Sequence, residues 1–221
     1  PWVEQGKHLG NTLENIVNGM KKDIKIKRAN YINKNNEICQ EFYFALPETK
    51  FKLNRIYNSH FTGSPLWDLF CRESQMVKNS WNVSFRIMCN LPRTTHRYFV
   101  EPISKMTHIK FVLIKNFLSF INQIKKSNKI IAKEILKTIE NDVGSTTGSN
   151  LRNIMQLMNK NSIDQICIND IRKLEFANIP EGCEWRIPVL EELLCARKSE
   201  VEIDNFSRND IKDMIEFICT S

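Results

Sequence analysis

The sequence predicts a mostly α-helical chain, and two observations carry that reading. Apolar residues recur at spacings of three and four through most of the 221 residues. Glycine and proline number only 7 each, too few for a collagen, a linker or a turn-rich all-β chain. A 42% apolar fraction supplies a sizeable core and excludes wholesale disorder.

The elements follow in order. Short apolar runs around Gly6 and Gly10 predict a small N-terminal β-hairpin within residues 1–20. A stripe of Ile24, Ala29, Ile32, Ile38, Phe42 and Ala45 predicts a helix over 22–46, stopped by Pro47. Phe51, Leu53, Ile56 and Tyr57 place a second helix over 48–60, broken at Gly63-Ser64-Pro65. Ser64 as cap and Pro65 at the first position start a third helix over 65–90. Trp67, Phe70, Trp81 and Phe85 keep helical spacing there and read as core. Residues 92–104 are a polar, Pro-bounded connection. Ile109, Val112, Leu113, Phe117, Phe120, Ile121 and Ile124 predict a helix over 105–125. Ser127 then caps one carrying Ile131, Ile135, Leu136 and Ile139.

Gly144-Ser145-Thr146-Thr147-Gly148-Ser149 is the clearest break in the chain. Beyond it, shorter helices carry Leu151, Ile154 and Met155, then Ile187, Leu190 and Leu193, then Ile211, Met214, Ile215 and Ile218. The last follows Ser207-Arg208-Asn209-Asp210, a capping box with Asp in place of Glu. The expected organisation is a hairpin at 1–20, a basic helical region at 21–143 and an acidic helical unit at 150–221.

The break coincides with a change of charge. The net charge is +7, but residues 50–137 hold 16 Lys and Arg against 4 Asp and Glu, while 151–221 hold 9 against 13. A basic block on an apolar-rich folded segment is the electrostatic footprint of a phosphate-backbone binder. An ordinary solvated face is the alternative. Asn, Ile and Lys make up a third of the chain, a compositional bias that suggests an AT-rich coding sequence.

Seven scattered cysteines without a CxxC read as free thiols in a reducing, intracellular setting. No secretory leader is visible, and the longest apolar stretch is interrupted by Lys110, Lys115, Asn116 and Asn122, so no membrane partner is expected. The chain begins at Pro1 rather than Met, as a fragment of a longer protein would.

Motifs for catalysis are lacking. There is no GxGxxG, no GxxxxGK and no GxSxG. Cys89, His96 and His108 are spaced too widely for a zinc site, so no metal is expected. No carboxylate pair has the spacing that holds catalytic divalent cations. What remains is basic and aromatic interleaving. Lys50, Lys52 and Arg55 stand beside Phe51, Tyr57 and Phe61, and Arg86, Arg93, His96 and Arg97 flank a loop with Thr94 and Thr95. Arginine heads and threonine hydroxyls are phosphate donors. The alternative for Arg93 or Arg97 is an ion pair with Glu101.

Several segments resemble the region after the palm of non-LTR retrotransposon (LINE-type) reverse transcriptases. They are Lys7-His8-Leu9-Gly10-Asn11, YNSHFTGSPLWDLF at 57–70 and SWNVSFRIMCNLPRTTHRYFVEPIS at 80–104, with TTGSNLRNI at 146–154, EWRIPVLEELL at 184–194 and DMIEFICTS at 213–221. The resemblance implies a primer-grip hairpin at Lys7, His8 and Gly10, whose backbone approaches the primer end. It implies a helical, thumb-like bundle that holds template–primer duplex by its backbone. The block that includes Lys110, Lys115, Lys125, Lys126 and Lys129 then has a role. The family's paired catalytic aspartates, fingers, endonuclease and Cys/His knuckle are absent from this chain. The implied chain is therefore a non-catalytic, C-terminal piece of an RNA-directed DNA polymerase. Its full-length parent would carry Mg2+ in the palm and perform target-primed reverse transcription. The implied partners are RNA, RNA–DNA hybrid or DNA, and the upstream palm and fingers of the same polyprotein. The implied setting, in a eukaryote, is nucleus and cytoplasm. The other reading is a helical protein-interaction module, a domesticated relic whose basic face takes an acidic partner.

Overall fold

A computed structural model describes residues 5–8, 11–14, 18–58, 61–104, 108–142, 144–166, 171, 181–199 and 208–220. The chain is mostly helical, with nine α-helices among the described residues. They are α1 (Asn18–Glu41), α2 (Pro47–Tyr57), α3 (Arg72–Met88), α4 (Val100–Ser104), α5 (Ile109–Lys126), α6 (Ile130–Asn141), α7 (Thr146–Leu157), α8 (Arg186–Ser199) and α9 (Arg208–Thr220). Near the N-terminus, Gln5–His8 and Asn11–Glu14 run antiparallel, with Gln5 opposite Glu14 and His8 opposite Asn11.

Several boundaries differ from those the sequence suggests. Pro47 does not stop a helix but opens α2 at its first turn, where its missing N–H costs nothing. Ser64 caps no α-helix. Ser64–Leu66 is a single 3-10 turn, and α3 begins only at Arg72. Lys129 rather than Ser127 precedes α6, and the Ser127 hydroxyl accepts from the Lys129 N–H. The polar-looking 92–104 connection contains α4, with Phe99, Val100 and Ile103 buried.

The described chain falls into two compact units, each assembled from three separate segments. The first gathers Pro1–Asn30, His60–Lys78 and His108–Glu175; the second gathers Tyr31–Ser59, Asn79–Thr107 and Phe176–Ser221. Gly144–Ser149 thus lies inside the first unit rather than between units. The reason is local: Ser145 caps α7 by accepting from the Gly148 N–H, and α6 packs on α7 across the turn. Gly148 is required there. A Cβ would sit 2.5 Å from the Asp142 carbonyl oxygen and 2.8 Å from that of Ile139.

The first unit is built around an irregular stretch, residues 61–71, that buries Phe61, Ser64, Trp67 and Leu69. Trp67 is its centre, edge-on to Phe61 at 6.0 Å. Its indole N–H donates to Asp23 of α1 at 2.9 Å. The Asn150 side chain, from α7, donates to the Trp67 carbonyl at 2.6 Å and accepts from the Leu69 N–H at 3.0 Å. Asn116 of α5 donates to the Ser64 hydroxyl at 3.2 Å. Phe70, expected in the core, is partly exposed instead, because the chain turns at Leu69 and Phe70 rather than continuing as a helix.

The second unit is held by a run of rings. Tyr31 stacks on Trp81 at 5.5 Å, Trp81 meets Phe85 at 5.1 Å, and Phe85 meets Phe51 at 5.2 Å. Offset and edge-on rings at such spacings add to the burial itself. Helices α8 and α9 pack on each other, and α4 packs on both α2 and α8.

Asn150→Ala strands a buried carbonyl and a buried N–H together. It should lower stability by about 2–4 kcal/mol in urea unfolding. Gly148→Ala should also destabilise, against the usual helix preference for alanine, because two backbone carbonyls occupy the space. A neutral result for Gly148→Ala in the same assay would mean that the α6–α7 turn relaxes freely.

Candidate nucleic-acid interface

The most organised basic feature is the loop after α3, in the second unit. Asn90 adopts a left-handed conformation, φ 52°, and ends the helix. The Leu91 N–H reaches the Arg86 carbonyl at 2.7 Å and the Asn90 N–H reaches that of Ile87 at 3.0 Å. This is a Schellman cap with asparagine in the place that glycine usually takes.

The chain then folds over Arg86. The Arg86 Nε donates to the Thr95 carbonyl at 2.9 Å, and the Thr95 hydroxyl donates to the Pro92 carbonyl at 2.7 Å. Thr95 is 1% exposed. The His96 N–H donates to the Cys219 carbonyl at the end of α9, at 3.3 Å. With Thr95 and Phe99 turned inward, Arg93, Thr94, His96 and Arg97 are left outside. The His96 ring lies parallel to Tyr98 at 5.1 Å. The result is two arginines on a short, pinned loop beside a stacked ring pair, a surface that suits phosphate oxygens and sugar edges.

Arg86 itself is a correction to the expected contact set. It is half-buried, burial lowers its basicity, and its guanidinium holds the loop from within. Lys50 is a second correction. It is 7% exposed and its ammonium donates to the Tyr43 carbonyl at 3.2 Å, closing the turn before α2. Lys52 and Arg55 lie on the exposed side of α2.

The remaining cations belong to the first unit. Lys110 is partly buried over the Phe70 ring, 5.9 Å from its centroid, and desolvation lowers its basicity. Lys125 pairs with Asp164. Lys115, Lys126 and Lys129 are exposed. The one basic block of the sequence is therefore divided between two units. Lys7 and His8 fall in the first strand opposite Thr12 and Asn11, and Gly10 lies outside the described residues.

Thr95, read from the sequence as a phosphate donor, is buried with its hydroxyl on the Pro92 carbonyl, and Tyr98, which completes the loop, was not singled out by sequence. The sequence carries no period-two signal there, since through Thr94–Phe99 only Thr95 and Phe99, four residues apart, are buried. Among the described residues no group of three His, Cys, Asp or Glu is placed to hold a metal. His108 instead caps α5, its Nδ1 accepting from the Lys110 N–H at 3.0 Å. No helix of the described residues is long and apolar enough to cross a membrane.

Sequence reasoning also passed over Lys78. It is buried, and its ammonium donates to the Leu69 carbonyl at 3.3 Å. Burial, helped by the nearby Lys110, pulls it down to about 8.

Comparison with protein-family models, with curated proteins and with solved structures gives no match to this chain.

The Lys78 ammonium ionises near 10.5 in the unfolded chain and near 8 in the folded one. The unfolded state therefore binds more protons between those values, so stability contributed here rises with pH. Below about 8 the cost of burying the charge is present in full. The parent should gain on Lys78→Met through pH 8–10, with a slope approaching about 1.4 kcal/mol per pH unit. Parallel stability curves for the two proteins would show that Lys78 is hydrated in the native state.

Proposed function

We propose that the chain holds nucleic-acid duplex by its backbone, as the thumb and C-terminal region of a non-LTR retrotransposon reverse transcriptase. The observation that carries the reading is the loop of Arg93, Thr94, His96 and Arg97, pinned from behind by Arg86 and by the end of α9. The backbone that carries the two exposed guanidinium groups is already fixed, so meeting two phosphates costs little loop entropy. The ordered resemblance from the Lys7–Asn11 element to the closing DMIEFICTS supports the same reading.

On this reading the chain performs no chemistry. Positioning template–primer, as RNA–DNA hybrid, is its contribution. The catalytic aspartates and their Mg2+ belong to the palm of the full-length parent, with the fingers upstream in the same polyprotein. Its setting would be intracellular, with access to the nucleus. The N-terminal strands would serve as the primer grip.

Phosphate contacts carry no base information, so affinity should not depend on sequence. Arg93→Ala/Arg97→Ala should weaken binding to two unrelated RNA–DNA hybrids alike, and should lower the salt slope by about two units. Binding measured by anisotropy across a potassium chloride series decides. An unchanged slope, with helicity intact, would remove the loop from the nucleic-acid surface.

A further inference from the structure

We propose that the groove between α6 and the start of α7, in the first unit, binds an acidic amphipathic helix of a protein partner. Ile130, Ile131 and Ile135 are 79%, 74% and 44% exposed. A single exposed isoleucine is ordinary; three on adjoining turns, opening into one groove of about 420 Å3, are not.

The floor of that groove asks for apolar contact. Three of its four polar side chains, Glu134, Thr138 and Ser145, already have partners. The Thr138 hydroxyl donates to the Glu134 carbonyl at 3.0 Å, and the Ser145 hydroxyl donates to that of Asp142 at 3.1 Å. Glu134 pairs with Lys137 at 2.8 Å. No unmet donor or acceptor among these side chains calls for a polar ligand.

The charge beside the groove selects the partner. Lys126, Lys129 and Lys133 are exposed, and no ion pair among the described residues engages them. Lys133 and Lys137 form one row along α6, next to the row of Ile130 and Glu134. An occupant must therefore offer apolar side chains with carboxylates along one flank. Ile131 and Ile135 are one helical turn apart, the spacing of residues i and i+4 on a facing helix. A bilayer is a poorer match, because the groove is concave, drawn from two elements and free of aromatic rings. The phosphate–sugar backbone of a duplex offers little apolar surface to set against three isoleucines.

The probe is a fluorescent peptide of about four turns, with Leu at i, i+3, i+4 and i+7 and Glu elsewhere. A second peptide carries Lys at every Glu position. The whole 221-residue chain should bind the Glu peptide with Kd on the order of 10 μM and the Lys peptide at least tenfold more weakly. Ile130→Ser/Ile131→Ser should cost about tenfold, and circular dichroism should be unchanged, since both side chains are exposed. Lys133→Glu, a position outside the residues assigned to the duplex, should narrow the preference for the Glu peptide at least threefold and leave hybrid affinity as it was. Equal binding of the two peptides would overturn the proposal. So would binding only to vesicles containing phosphatidylserine, loss of hybrid rather than peptide affinity in Lys133→Glu, or a dimer in sedimentation that Ile130→Ser/Ile131→Ser dissolves.

Discussion

The first unit depends on the side chain of Asn150. Residues 61–71 bury Phe61, Ser64, Trp67 and Leu69 but form neither a helix nor a strand, apart from one 3-10 turn. Such a stretch has no ladder to satisfy its backbone, and each unpaired group would cost about 1–3 kcal/mol. Asn150 supplies a donor and an acceptor at once, to Trp67 and to Leu69. The surrounding helices supply the rest. The Ser74 hydroxyl donates to the Asp68 carbonyl, Lys78 to that of Leu69, and Asn116 to Ser64. Asp23 takes the indole N–H. Four helices thus converge on one irregular segment because its polar groups need them. The low-lying ammonium of Lys78 follows from the same demand: a buried carbonyl holds a cation where water is scarce.

The second unit repeats the device with a different outcome. Its loop after α3 is also irregular, and Arg86 and the last turn of α9 satisfy it. Thr95 and Phe99 are drawn in, and Arg93, Thr94, His96 and Arg97 face out. The exposure of Arg93 and Arg97 is a consequence of how the loop is tied down. A loop whose backbone is tied down this way would, on the proposed reading, favour contacts to a regular ligand such as a duplex backbone.

The long periodic helices were legible in the sequence. Residues 109–126 and 208–220 show their stripe directly, because packing repeats with the helical turn. The irregular segments were not, because their order comes from single distant side chains. Nothing in the local pattern says that Asn150 reaches residue 67, or that Pro47 begins a helix rather than ending one. The same holds for the cations. Lys50, Arg86 and Lys110 look like solvent-facing charge in a basic block, yet each lies against a carbonyl or a ring. The asparagine excess, taken as coding bias, has structural uses as well. Asn90 and Asn159 both take φ of 52° and end α3 and α7 in the same manner. Asn54 bonds to Asn35, and Asn58 to the Tyr31 carbonyl. Asparagine tolerates the left-handed region and offers both donor and acceptor.

Charge counted along the chain therefore overstates the charge offered to a ligand. Of the block at 50–137, Lys50, Lys78 and Arg86 serve carbonyls, Lys110 covers a ring, and Lys125 and Lys137 face carboxylates. What is left is divided between two units. Each phosphate contact contributes roughly 0.9 to the salt slope on duplex, so on the proposed reading a loop with two arginines would give weak, salt-sensitive binding when it acts alone. That strength suits a part that steadies a duplex held by other parts of a larger enzyme. It does not suit a module that must capture nucleic acid by itself. On the proposed reading, the affinity of the whole polymerase would come from several such modest surfaces acting together, with the Arg93–Arg97 loop contributing register more than strength.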